Sequence, residues 1–205
     1  MKLSILQKMI FFILLIAIPS LSTAQRKIDN RDIWTSIDEK EIPVVGQRLI
    51  TPIDYKTYKL SLSEVQRILN MAPMEFTPVA KFSNTYLPLP MPDGSIELFD
   101  IVESPIMEPG LSEIFPEINT YAGNGVNNPD YYVRLDLTPQ GFHAMIMIPG
   151  ESTVYIDPYT HGGGDIQHYI VYHRKDFRPA RSKNFKCHVD DNIGSTVQRQ
   201  IQIQI

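Results

Sequence analysis

The residues of this chain best suited to metal or nucleophilic chemistry are five histidines (His143, His161, His168, His173 and His188) and one cysteine, Cys187. A helical zinc-peptidase site needs two histidines at i and i+4, with a glutamate between them as base. No His-Glu dipeptide occurs here. His168 and His173 are five residues apart in a strand-like stretch, so they point to opposite faces and cannot share a metal there. The spacings read as scattered polar or packed histidines. No serine stands in a Gly-x-Ser-x-Gly elbow. Asp157 and Asp165 would make an acid–base pair if brought together, but no sequence feature does so. Gly162, Gly163 and Gly164 could offer backbone N–H groups to an anion. They lack a following Lys-Ser/Thr and open no helix, so a flexible loop is expected. Cys187, in Phe185-Lys186-Cys187-His188-Val189-Asp190, is by itself either an inert buried thiol or half of an intermolecular disulfide. No nucleophile, base and orienter assemble, and a non-catalytic chain is expected.

The first residues speak to compartment. Lys2 and Lys8 form a positive region, Met9 to Ile18 a short apolar run, and Ser22-Thr23-Ala24 a small-residue cleavage site before Gln25. This is the layout of a secretory signal peptide. The apolar run is about half the ~20 residues that a spanning helix needs, so no stable membrane anchor is expected. Removing residues 1–24 takes away two lysines and leaves 17 basic against 23 acidic residues, a net charge of −6. Without a basic stripe, nucleic acid is not an expected partner. A periplasmic or extracellular location follows from the export signal. A single cysteine allows no internal disulfide, so the core must carry the fold.

Residues 25–50 read as a polar lead-in or linker on which Trp34 alone looks able to dock, with the domain beginning near Tyr55. Tyr58 and Leu60 mark a short strand. Ser61 and Glu64 fit a capping box, and Leu62, Val65, Ile68 and Leu69 follow at helical spacing until Pro73. Leu87-Pro88-Leu89-Pro90 fits an edge strand or an extended arm, and Asp93-Gly94 a turn. Ser95 to Glu103 reads as a strand, with a phase slip at Leu98 and Phe99 that permits a bulge or burial on both sides. Pro109 to Phe115 suits a short helix, Ile118 to Ala122 a strand, and Gly123 to Asp130 a loop. Val133, Leu135 and Leu137, then Phe142, Ala144, Ile146 and Ile148, then Val154 and Ile156, alternate with polar or exposed positions between tight turns. That is an antiparallel meander, and Ile166 to Tyr172 adds a strand. The class expected is α+β, mainly antiparallel, with about six strands and one or two short helices. Gln198 to Ile205 alternates Gln and Ile, as either a terminal strand or the mark of a truncated reading frame.

Several motifs also occur in a telling order: Leu87 to Gly94, Glu103-Ser104-Pro105-Ile106-Met107, Phe115 to Gly123, Arg134 to Ala144, Tyr155-Ile156-Asp157-Pro158, and Tyr169-Ile170-Val171-Tyr172. Together they resemble the N-terminal pro-region of secreted reprolysin-like zinc metallopeptidases of Bacteroidetes, over about residues 52–190. In that family a catalytic domain with the signature His-Glu-x-x-His-x-x-Gly-x-x-His follows, which this chain lacks. The resemblance therefore implies a propeptide-like α+β domain over 51–180 and a C-terminal tail, 181–205, carrying Cys187. Its role would be inhibitor or folding aid. Zinc would enter only through a partner peptidase domain, with no cofactor in this chain. A catalytic zinc keeps a fourth position open for water, and by the resemblance Cys187 is the candidate thiolate that blocks it, in trans or in cis. The alternatives are a stand-alone secreted binding or adhesion domain, or a non-functional truncated fragment.

Overall fold

Alternation of apolar and polar residues builds most of this protein, because a strand with one dry face must present every second side chain to it. The computed structural model describes residues 33–43 and 45–177. The expected signal peptide, Cys187, His188 and the Gln-Ile tail lie outside them. Nine strands form one sheet: β1 (Trp34–Ser36), β2 (Lys56–Leu60), β3 (Tyr86–Pro90), β4 (Ile96–Glu103), β5 (Asn119–Gly125), β6 (Tyr132–Thr138), β7 (Gly141–Met147), β8 (Val154–Pro158) and β9 (His168–His173). Their order is β1-β2-β9-β8-β7-β6-β5-β4-β3, and every pairing is antiparallel. Two helices, α1 (Leu62–Leu69) and α2 (Pro109–Ile114), complete a mainly antiparallel α+β fold.

The sheet curls until its two edges are bridged. Trp34 on β1 donates its indole N–H to the carbonyl of Pro88 on β3, at 2.9 Å and buried from solvent. Helix α1 packs beside β3 and sends Val65, Ile68 and Leu69 into the interior. Phe99, Ile101, Val133, Leu135, Phe142 and Ile146 fill the inward face from β4, β6 and β7. Each such side chain contributes roughly 1.5–3 kcal/mol by leaving water. Trp34 meets the rings of Tyr58, Phe142 and Tyr169 edge-on at 5.6–6.2 Å, a preferred geometry for aromatic quadrupoles.

Several expectations change here. Nine strands are present rather than about six. The lead-in contributes β1, and its Ile33, Trp34 and Ile42 are buried, so the folded unit begins before Tyr55. Residues 37–43 and 45–55 continue across the outer face of β8 and β9, where Ile37, Ile42, Ile50 and Tyr55 cover Ile170 and Tyr172. The capping box does not form: Ser61 is the N-cap, but its hydroxyl lies against Ser63 Oγ and makes no cap bond. Glu64 instead pairs with Arg67 one turn on. The β4 register runs without interruption from Pro90↔Ile96 to Tyr86↔Asp100, so the phase slip is not a bulge. Gly123 and Gly125 belong to β5, not to a loop. Gly123 is required there because a Cβ would come within 2.5 Å of the Asp100 carbonyl. The prolines of β3 sit where expected, on an edge strand that needs no N–H from them.

Candidate functional site

Two adjacent transverse rows of side chains define a groove on the outer face of the sheet. The tight turn at Pro139-Gln140 sets Asp136 of β6 directly opposite His143 of β7. One step past the pair Ala144↔Ile156, His143 faces Asp157 of β8. On the other side Asp136 faces Thr120 of β5. The neighbouring row runs Ala122, Arg134, Met145, Tyr155, Tyr172 from β5 to β9. Over these rows lies a half-open groove of about 410 Å³, with Ile106 from the β4–β5 connection at its mouth. That volume falls in the range of about 300–1,000 Å³ usual for small-molecule sites.

The polar row is tied together. His143 Nδ1 is 3.0 Å from Asp136 Oδ1. Tyr172 donates its hydroxyl to Asp157 Oδ2 at 2.8 Å, and its ring stacks on Tyr155. Burial alone would lower the pKa of His143, but the hydrogen bond and charge of Asp136, with Asp157 adding, outweigh it and raise the value. Burial pushes Asp157 above the ordinary carboxylate value, and the Tyr172 bond and the two histidines nearby only partly offset this. Burial also raises Tyr172, with Asp157 reinforcing the shift. Arg134 is held differently. Its Nη1 donates to Ser104 Oγ at 2.8 Å, and its guanidinium lies 5.9 Å from the Tyr132 ring centre. Among the described residues it forms no ion pair.

The other histidines are dispersed. His168 donates to Asp165 at 2.7 Å and is buried on the outer side of β9. His173 points the opposite way, as a five-residue strand spacing requires, and donates to the Ser152 carbonyl. His161 pairs through its backbone with Gln47. Asp157 and Asp165 are each engaged with a different partner, Tyr172 and His168, rather than with one another. Gly162, Gly163 and Gly164 all have positive φ, and the run packs on Gly46, where a Cβ would meet the Gly162 carbonyl at 2.0 Å. The triglycine is thus a close-approach loop under the N-terminal segment. Beside it, Glu39 accepts from Arg48, Tyr55 and Tyr159, and Arg48 lies over both rings at 4.9 and 4.5 Å. This clasp holds the segment on the sheet.

No group of three or more His, Cys, Asp or Glu side chains among the described residues is arranged to hold a metal. No helix among them is long and apolar enough to cross a membrane. Of the Asp136–His143–Asp157 row, the sequence singles out His143 and Asp157 separately, without joining them, and does not single out Asp136. A signal for half of it was present, since a two-residue turn between Thr138 and Gly141 pairs positions 136 and 143 by counting outward.

The fold and groove define a class: a curled antiparallel α+β sheet with an open groove on its outer face and a strapped N-terminal segment. Comparison with protein-family models, with curated proteins and with solved structures finds no match to this chain.

Proposed function

We propose that this chain is an exported, propeptide-like domain that binds a secreted zinc metallopeptidase as inhibitor or folding aid and is not itself catalytic. The observation that carries the reading is an exposed apolar surface on two connections. The α1–β3 connection exposes Phe76 at 94%, Phe82 at 83% and Val79 at 67%, and the β4–β5 connection exposes Ile106, Leu111, Ile114 and Phe115. The two approach each other where Met74 lies beside Glu103, with Glu75 N donating to the Glu103 carbonyl at 2.9 Å. Exposed apolar groups gathered in this way mark a protein-binding face. Glu108, Glu113 and Glu117 stand exposed around them, so the partner surface they suit has an apolar centre and a basic rim.

The ordered motifs supply the kind of partner, and Cys187 supplies the candidate blocking ligand. A thiolate on the open zinc position would exclude the water that acts as nucleophile. The test is inhibition of a reprolysin-like catalytic domain from the same secretome, expressed without its own pro-region. The full chain is expected to slow peptide hydrolysis, and Phe76→Ser with Phe82→Ser is expected to weaken that inhibition at least tenfold. Cys187→Ala is expected to weaken it as well. A full chain that neither inhibits the catalytic domain nor raises its refolding yield sinks the proposal.

A further inference from the structure

The outer-face groove pairs His143 with Asp136 but keeps Arg134 apart from its carboxylates. Arg134 and Asp136 stand two residues apart on one face of β6, a separation of roughly 6.5–7 Å. Asp136 is turned to His143, and Asp157 accepts from Tyr172. Among the described residues Arg134 hydrogen-bonds to a serine hydroxyl and to no carboxylate. Charges placed for stability alone would be expected to pair, because a half-buried guanidinium gains most from a carboxylate. Here they line one open groove together with apolar surface from Ile106, Met145 and Tyr155.

From this separation we infer that the groove is a binding site for a free α-amino acid with an apolar side chain. The ligand carboxylate takes the open N–H groups of the Arg134 guanidinium. Its ammonium takes the acidic row of the groove, where Asp136 and Asp157 stand on either side of His143. The side chain lies on Met145 and Tyr155 under Ile106. An amine alone would leave Arg134 unmet, and a carboxylate alone would face two acids. A zwitterion alone meets groups of both signs. The inference does not require a peptidase partner, although Ile106 of the β4–β5 connection belongs to both surfaces.

Calorimetry on the full chain at pH 7 tests it with three probes: leucine, leucinamide, which lacks the carboxylate, and N-acetylleucine, which lacks the ammonium. Leucine is expected to bind at least tenfold more tightly than either. Arg134→Gln is expected to abolish the preference for leucine over leucinamide, and Asp157→Asn the preference over N-acetylleucine, with thermal midpoints checked to confirm folding. The wild-type ligand series stands even where a variant fails to fold. Absence of leucine binding at millimolar concentration overturns the inference. So does equal binding of all three probes, or a folded Arg134→Gln protein that still prefers leucine to leucinamide.

Discussion

His143 sits between carboxylates on two neighbouring strands, and its proton follows from that placement. Its pKa is raised above the ordinary 6.5 because the hydrogen bond it donates to Asp136 and the charge of that carboxylate, with Asp157 adding, outweigh burial. The folded state then holds the proton more tightly than the unfolded chain. The resulting stabilisation is fully present below about pH 6.5 and is lost as pH rises through the folded value. Asp157 has the same sign for a different reason: burial raises it, so ionising it costs stability as pH rises past its folded value. In Asp136→Asn, the imidazole midpoint followed by NMR is expected to fall. Chemical denaturation is expected to show a loss of about 1 kcal/mol at pH 5.5 and less at pH 8. Asp157→Asn is expected to become progressively more stable relative to wild type as pH rises from 4 to 8. A His143 midpoint unmoved by Asp136→Asn would show that the pair does not set it.

At the scale of elements, one hydrogen bond joins the two edges of the sheet. The Trp34 N–H to Pro88 carbonyl bond is buried, and nothing else described donates to that carbonyl. Trp34→Phe keeps an aromatic ring among Tyr58, Phe142 and Tyr169 but leaves the carbonyl unsatisfied. An orphaned buried acceptor costs about 1–3 kcal/mol. The expected outcome is a destabilisation in that range by chemical denaturation, with faster amide exchange in β1 and β3 than in β6 and β7. Equal protection of edges and centre in the variant would mean that the edge contact carries little of the fold. The strand pattern of β6, β7 and β8 was readable because one face is dry and the other polar. β1 was not, since three residues hold no period, and only pairing with β2 (Trp34↔Leu60) turns them into a strand.

For the whole molecule, the interior and the exposed apolar face respond to opposite tests. Phe76 and Phe82 are almost fully exposed, so truncating them removes little from the folded state. Phe76→Ser with Phe82→Ser is expected to leave the thermal midpoint within about 2 °C, as exposed substitutions usually cost under about 0.5 kcal/mol. Phe76 also has a positive φ of 62°, a conformation uncommon for a bulky residue, so Phe76→Gly is expected to be neutral or slightly stabilising. A large fall in midpoint for the double variant would show that these rings support the fold rather than face a partner.

The amino-acid order by itself determined the class, the meander, the position of α1 and the proline-bearing edge strand, because alternation, helical spacing and proline chemistry act within a few residues. It also carried half of the groove, since the Thr138–Gly141 turn sets Asp136 against His143 without help from elsewhere. Only the tertiary structure decided the rest. Asp157 reaches His143 through the β7–β8 register, and Arg134 reaches Ser104 across 30 positions of sequence. The N-terminal segment joined the domain because Trp34 is 54 residues from its Pro88 partner. Contacts at such separations depend on how the sheet curls, and no local pattern encodes a curl.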